Sequence, residues 1–121
     1  MGKGKRVLIV EDESLTAMAL RLHLQGMGYE VLDFSATGEE AVQRARMERP
    51  DIVFMDVSLA GKMDGIEAAE LIAGEERVSI VFMTGLTTQA MTQRVAVHGL
   101  AGYLVKPIDF AEINGILSRI A

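Results

Sequence analysis

The chain has 121 residues, half of them apolar, which suits a single domain over residues 1–121 with one sheet covered on both faces. A net charge of −5 with scattered basic residues argues against a protein that works by direct nucleic-acid binding, because that needs clustered Lys and Arg. No apolar run reaches the roughly 20 residues that span a bilayer and cysteine is absent, so we expect no membrane association, no disulfides and a cytoplasmic location.

The first part of the chain alternates predicted strands with predicted helices. Arg6–Val10 is a short apolar run followed by acidic residues, which is typical of a strand buried on both faces. A helix is predicted from Ser14, because apolar residues recur there at near-helical spacing, namely Leu15, Met18, Leu22 and Met27. Tyr29–Phe34 predicts a second strand with one wetter face, and Thr37 with Glu40 forms a capping box for the second helix.

The same alternation continues to the end of the chain. Asp51–Asp56 predicts a third strand that ends in a carboxylate, and a third helix is expected from about Ile66–Ala73 after a glycine-containing loop. Ser79–Thr84 predicts a fourth buried strand, and Thr88–His98 predicts a fourth helix. The fifth strand is the short run Gly102–Val105.

The last helix begins at a second capping box, Asp109 with Glu112, and its buried face is predicted to carry Ile113, Ile116, Leu117 and Ile120. Five strands alternating with five helices predict an α/β fold of the (βα)5 type. Right-handed crossovers would build a doubly wound parallel five-stranded sheet with helices on both faces. Such sheets bind ligands beyond the carboxyl ends of their strands, and we expect the functional site at that edge.

Four predicted strands deliver reactive residue types to this edge. Glu11 and Asp12 follow the first strand and Asp56 ends the third, so three carboxylates would meet if these strands are neighbours. Their mutual repulsion requires a positive charge among them. Because carboxylate oxygens are the hard ligands that Mg²⁺ prefers, the sequence predicts a magnesium site here.

The other two strand ends supply groups that suit phosphoryl transfer. Lys106 is a point charge able to balance a phosphate oxygen, and the Thr84 hydroxyl can donate a hydrogen bond to another. Because this chemistry depends largely on positioning and charge neutralisation, a carboxylate beside a metal and a lysine can itself accept the group. Asp56 is therefore the predicted nucleophile. Each residue alone has an ordinary explanation as a cap, a turn former or a solvated side chain, and their combination favours a site.

Over essentially its whole length, the chain resembles the response-regulator receiver domains of two-component signalling. The resemblance rests on Val7–Glu13, Pro50–Asp56, Met63–Gly65, Met83–Gly85 and Tyr103–Pro107. It implies a flavodoxin-like strand order 2-1-3-4-5 and phosphorylation at the third-strand aspartate. The implied phosphodonor is a histidine kinase or a histidine phosphotransfer protein, and the implied reader is a downstream protein target.

The resemblance also implies a role for each site residue. Magnesium would be held by Glu11, Asp12, Asp56 and the main-chain oxygen of Ser58, while Lys106 would contact the phosphoryl group. Thr84 would move toward the phosphate and Tyr103 would turn inward, which reshapes the face formed by the fourth helix, the fifth strand and the last helix. The Lys106–Pro107 peptide resembles the family's cis bond, although trans is the commoner X-Pro state. The protein would then be a switch with self-catalysed phosphorylation and dephosphorylation, and not an enzyme.

Two features depart from the family pattern. The segment Leu59–Met63 is one residue longer than usual before Asp64 and Gly65, which bears on the loop beside the metal. Glu11 stands where aspartate is common, and its longer side chain is expected to bind the metal through water instead of directly.

Competing functions are a flavodoxin-type electron carrier and a phosphatase that forms an aspartyl-phosphate intermediate. The acidic residues after the first strand would repel a flavin phosphate, and the phosphatase would need an acid where this chain has Ser58. His23 and His98 are predicted surface or boundary residues, not ligands. The sequence leaves open the kinase, the output, the phosphate lifetime, homodimer formation on phosphorylation, and whether the domain stands alone or belongs to a larger protein.

Overall fold

The computed structural model describes residues 4–59, 61–75, 77–85 and 100–120. Within these ranges the strands are β1 (Arg6–Val10), β2 (Glu30–Val31), β3 (Ile52–Asp56), β4 (Ser79–Thr84) and β5 (Leu100–Val105). The helices are α1 (Ser14–Gly26), α2 (Gly38–Glu48), α3 (Gly65–Glu75) and α4 (Phe110–Ile120). The predicted helix over Thr88–His98 lies outside the described residues, so α4 is the last helix of the prediction.

The strands form one parallel sheet in the order β2-β1-β3-β4-β5, which confirms the predicted fold class. The chain winds outward from β1 to β2, then returns past β1 to β3. Ile9 pairs with Phe54 in the register of the two central strands. The carboxyl ends of β1 and β3 therefore lie side by side, where the winding changes direction.

Side chains along the central strands alternate between two cores. Leu8 and Val53 belong to the core covered by α2 and α3. Ile9 and Phe54 belong to the core covered by α1 and α4. Because every residue of β3 is buried, and burial of one large apolar side chain contributes roughly 1.5–3 kcal/mol, this strand is a stable base for the residue at its end.

Three of the four apolar positions that predicted α1 do not lie on its buried face, whereas the fourth, Met27, packs against the core. Leu15 is 82% exposed, Leu22 64% and Met18 47%. The buried positions are instead Ala17, Leu20 and Leu24. Both sets satisfy a helical repeat, so the spacing predicted the helix but not the side that faces the sheet. We call Leu15, Met18 and Leu22 the α1 apolar stripe.

Three strands differ in length from the prediction, although β3 differs only in beginning one residue later, at Ile52. β2 is limited to Glu30–Val31, with one further bridge between Val10 and Ser35, and it is an edge strand that pairs only with β1. β5 begins two residues early, at Leu100, with a register shift at Ile80 and Val81 of the neighbouring strand. On α4, the predicted core residue Ile120 is only partly buried, unlike Ile113, Ile116 and Leu117.

Side-chain caps begin α2 and α4 at the residues that the sequence predicts, whereas α1 has no side-chain cap. Thr37 Oγ1 accepts a hydrogen bond from the Glu40 N–H at 3.1 Å at the start of α2. Asp109 Oδ1 accepts one from the Ala111 N–H at 2.9 Å at the start of α4. Among the described residues, no helix is both long enough and apolar enough to cross a membrane.

Candidate functional site

Three carboxylates lie together at the carboxyl ends of β1 and β3. Glu11 and Asp12 follow β1 directly, and Asp56 is the last residue of β3. One carboxylate oxygen from each residue lies within 4.8 Å of the others. Glu11 and Asp56 are each only 3% exposed, whereas Asp12 is exposed. We call these three residues the acidic cluster.

Lys106 supplies the positive charge that contacts this cluster. Its Nζ atom lies 2.9 Å from Glu11 Oε1 and 3.0 Å from Asp56 Oδ2. Its backbone N–H donates to the Thr84 carbonyl at 2.8 Å, which holds the residue beside the end of β4. The Lys106–Pro107 peptide bond is cis. When all four groups are ionised, the three carboxylates and the one ammonium group carry a net charge of −2, so the cluster lacks two positive charges.

The pKa values of Glu11 and Lys106 reflect this shortage. Burial raises the pKa of Glu11 to about 7, and the adjacent Asp56 carboxyl raises it too, against opposing effects of Lys106 and the Glu13 N–H. Burial would lower the pKa of Lys106, but its contacts with the carboxylates of Glu11 and Asp56 outweigh burial and raise the pKa above the usual value. Without a cation, Lys106 therefore stays protonated and Glu11 is partly protonated near neutral pH.

The acidic cluster has the donor chemistry for a divalent cation. Glu11 Oε1 is buried, and its close contact with Lys106 is not a hydrogen bond of regular geometry, so this oxygen keeps acceptor capacity. The Ser58 N–H donates to Asp56 Oδ1 at 2.9 Å, which brings the first loop residues after β3 next to the cluster. Hard carboxylate oxygens and two units of missing positive charge suit Mg²⁺.

Thr84 and Tyr103 lie on the strands that continue the sheet beyond Asp56. Thr84 ends β4 and is 1% exposed, while Asp56 pairs with Met83, the residue before it. The Tyr103 ring is partly buried and stacks on Phe82, with ring centroids 6.4 Å apart. The structure thus brings Thr84 to the site edge and places Tyr103 against the core on the α2 and α3 side.

Gly65 is a site residue whose importance the sequence analysis missed. A Cβ atom at Gly65 would lie 1.9 Å from the carbonyl oxygen of Asp56, so no other residue fits without moving the backbone. The Gly65 N–H also donates to the Val57 carbonyl at 3.0 Å. A detectable signal was present, because Asp64 and Glu67 have the spacing of a capping box and exchange hydrogen bonds of 2.9 and 3.1 Å.

A groove of about 570 Å³ opens beside Lys106, between α1 and the segment that follows β5. Its lining includes Leu15 and Thr16 of α1, with Ile108 and Phe110 on the other side. The groove is mainly apolar, and the α1 apolar stripe begins in it at Leu15.

Comparison with known proteins agrees with this arrangement of strand ends. Residues 7–118 match the sequence model described as the response regulator receiver domain. The chain belongs to this family. It is thus a receiver domain of the kind found in two-component signalling systems, and it is similar to chemotaxis regulators.

Individual relatives match the receiver domain over most of its length. It is 38% identical to the transcriptional regulatory protein PdtaR of Mycobacterium tuberculosis over 90% of the chain, but covers only 53% of PdtaR. It is 32% identical to the chemotaxis protein CheY of Thermotoga maritima, with 98% of both chains covered. The chain thus spans about half of the first relative and nearly all of the second.

A solved receiver domain from a Pseudomonas aeruginosa sensor histidine kinase is also similar. It is 31% identical, has a TM-score of 0.80 and covers 96% of both chains. That structure contains a magnesium ion coordinated in its active-site cleft.

Proposed function

We propose that this receiver domain accepts a phosphoryl group on Asp56 from a phosphohistidine donor, in a reaction that requires Mg²⁺. The observation that carries the proposal is the pairing of Asp56 Oδ2 with Lys106 Nζ at 3.0 Å inside the acidic cluster. A buried carboxylate at a strand end, beside both a cation site and a fixed ammonium, is equipped to act as a phosphoacceptor.

The chemistry divides among a few groups of this chain. Glu11, Asp12, Asp56 and the main-chain oxygen of Ser58 would hold the magnesium ion, which when bound supplies charge neutralisation to the phosphoryl oxygens. An Asp56 carboxylate oxygen forms the bond to phosphorus while the phosphorus–nitrogen bond of the donor breaks, and the electron pair returns to the imidazole. Lys106 balances charge on the phosphoryl oxygens, since its raised pKa keeps it protonated.

The signalling step is proposed to follow from the same contacts. A phosphoryl group on Asp56 offers oxygens to which the Thr84 hydroxyl can donate. Tyr103 lies on β5, whose Val105 pairs with Thr84, so movement at Thr84 reaches the exposed side of β5 and α4. A downstream protein would read that face, and the domain acts as a switch that catalyses its own phosphorylation and dephosphorylation, not as a turnover enzyme.

The partner that delivers the phosphoryl group is proposed to be a histidine kinase or a histidine phosphotransfer protein. The support is the apolar groove beside Lys106 and the exposed α1 apolar stripe that continues from it. Large exposed apolar side chains next to a reacting group suit a protein partner, because docking buries them and brings the donor histidine to the acceptor.

The test is intact mass after incubation with acetyl phosphate, with and without Mg²⁺. The native chain is expected to gain one phosphoryl group, about 80 Da, only with Mg²⁺. Asp56→Asn should retain the fold and gain nothing, whereas the control Asp33→Asn, which changes an exposed aspartate outside the cluster, should behave as native. Phosphate uptake by Asp56→Asn would show that another residue is the acceptor.

A further inference from the structure

The loop between β3 and α3 packs against the first turn of α2. Gly38, the first residue of α2, is buried. A Cβ atom there would lie 2.9 Å from the Met63 carbonyl oxygen and 3.0 Å from Met63 Cγ. Next to it, Glu39 Oε1 lies 3.5 Å from the position that a Cβ would take at Gly61. The loop therefore approaches α2 so closely that position 38 has no room for a side chain.

The need for glycine at position 38 comes from space and not from backbone conformation. Gly38 is not among the residues with positive φ, unlike Gly61, where φ is 99°. Alanine is favoured over glycine in a helix by roughly 0.5–1 kcal/mol, and Thr37 already caps the helix. The close contact with Met63 is therefore the physical reason for glycine here.

This contact involves the segment Leu59–Met63, which the resemblance to receiver domains makes one residue longer than usual. Gly61 turns the chain in the left-handed region, Leu59 packs against the core of α2 and α3, and Met63 rests on Gly38. The longer loop is thus supported by α2.

Both ends of the loop contact Asp56. Near its start, the Ser58 N–H donates to Asp56 Oδ1 at 2.9 Å. At its end, Gly65 is two residues after Met63, and the space for a Cβ at Gly65 is filled by the Asp56 carbonyl. A displacement of Met63 by an added atom at Gly38 is therefore passed on to residues that touch the acceptor.

We propose that Gly38 is a positioning residue for the acceptor site. By leaving room for Met63, it lets the β3–α3 loop close against α2, and the closed loop holds Ser58 and Asp56 in place. The inference rests on the proposed role of Asp56 as phosphoacceptor, and it assigns to α2 a part in that site.

The first test compares Gly38→Ala with Gly115→Ala. Gly115 lies inside α4, and an added Cβ there would meet no atom outside that helix within 4 Å, so it is the matched control. We expect Gly38→Ala to weaken Mg²⁺ binding in calorimetry and slow phosphoryl uptake from acetyl phosphate, each by about 3- to 10-fold. In the metal-free protein, amide exchange at Ser58 and Gly65 should be faster. Gly115→Ala should leave all three properties native.

A second variant approaches the contact from the loop and avoids crowding the helix. Met63→Ala removes the Cγ atom that touches Gly38, so a smaller change in the same direction is expected; Met47→Ala, at an 82% exposed methionine of α2, is its control. In the double variant Gly38→Ala/Met63→Ala the two effects should be coupled, because both act on one contact.

Three results would overturn the proposal. The first is that Gly38→Ala has native Mg²⁺ affinity and native amide exchange. The second is that Gly38→Ala does not fold and Met63→Ala behaves as the native chain. The third is that the effects in the double variant are strictly additive. The last would mean that position 38 acts only through the stability of α2. Failure of the native chain to take up phosphate would instead refute the proposed function, while the exchange measurement would still decide the role of Gly38.

Discussion

The protonation of Glu11 predicts how the stability of the metal-free domain changes with pH. The pKa of Glu11 is raised from 4.5 to about 7 by burial and by Asp56. A carboxyl whose pKa is higher in the folded state binds its proton more tightly there than in the unfolded chain. This contribution to stability is complete below pH 4.5 and is lost as the pH rises to about 7.

The size of the effect follows from the difference between the two pKa values. One pKa unit corresponds to about 1.4 kcal/mol, so the whole difference would give about 3 kcal/mol. Because water reaches the open edge of the acidic cluster and screens part of the charge, we expect about 1–2 kcal/mol. For a domain of this size, that lowers the melting temperature by about 3–8 °C between acidic and neutral pH.

The assay is thermal unfolding followed by circular dichroism in EDTA between pH 4.5 and 8, on the native chain and on Glu11→Gln. The variant cannot ionise at this position, so the difference between the two curves isolates Glu11. With saturating Mg²⁺ the native slope should reverse, since the cation binds the ionised carboxylate. Equal slopes in EDTA for the two proteins would refute the account of the cluster.

Two further predictions concern the groups around the acceptor. Lys106→Ala should bind Mg²⁺ more tightly, by at least about threefold, because the cluster loses its competing positive charge. The variant should also take up phosphate more slowly. Calorimetry checks the Mg²⁺ affinity, and intact mass checks the phosphate uptake. Leu15→Glu should slow phosphotransfer from a phosphorylated histidine-containing protein by about tenfold while leaving uptake from acetyl phosphate native. The control is Met47→Glu, whose side chain is equally exposed at 82%; if both variants lose transfer equally, the α1 apolar stripe is not the docking surface.

Much of the fold and of the acidic cluster follows from local pattern. The apolar runs of β1 and β3 are continuous because both strands are central, and parallel neighbours must present their carboxyl ends at one edge. The sequence therefore predicted that Glu11 and Asp56 would lie near each other, and the structure places them so. The pairing with Lys106 depends on the same rule, since β5 delivers its following residue to that edge as well.

The features that the sequence did not predict depend on distant contacts. One of them is the face of α1 that packs against the sheet, because Leu15 and Leu20 belong to two different faces that both satisfy a helical repeat. The space required at Gly38 and Gly65 is another. A glycine in a helix looks merely unfavourable until the atoms opposite it are known. These belong to Met63 opposite Gly38 and to the backbone of Asp56 opposite Gly65.

The positions of the acidic residues are held by packing and main-chain hydrogen bonds more than by charge. Electrostatic repulsion alone would separate Glu11 from Asp56. Yet the Glu11 N–H donates to the Ser35 carbonyl at 2.9 Å, and Gly65 packs directly on the Asp56 carbonyl. These contacts keep the main chains of Glu11 and Asp56 from moving apart. When the cation is absent, the repulsion is therefore relieved by Lys106 and, in part near neutral pH, by a proton on Glu11. It follows that cation binding should release a proton near neutral pH with little movement of these two strand ends.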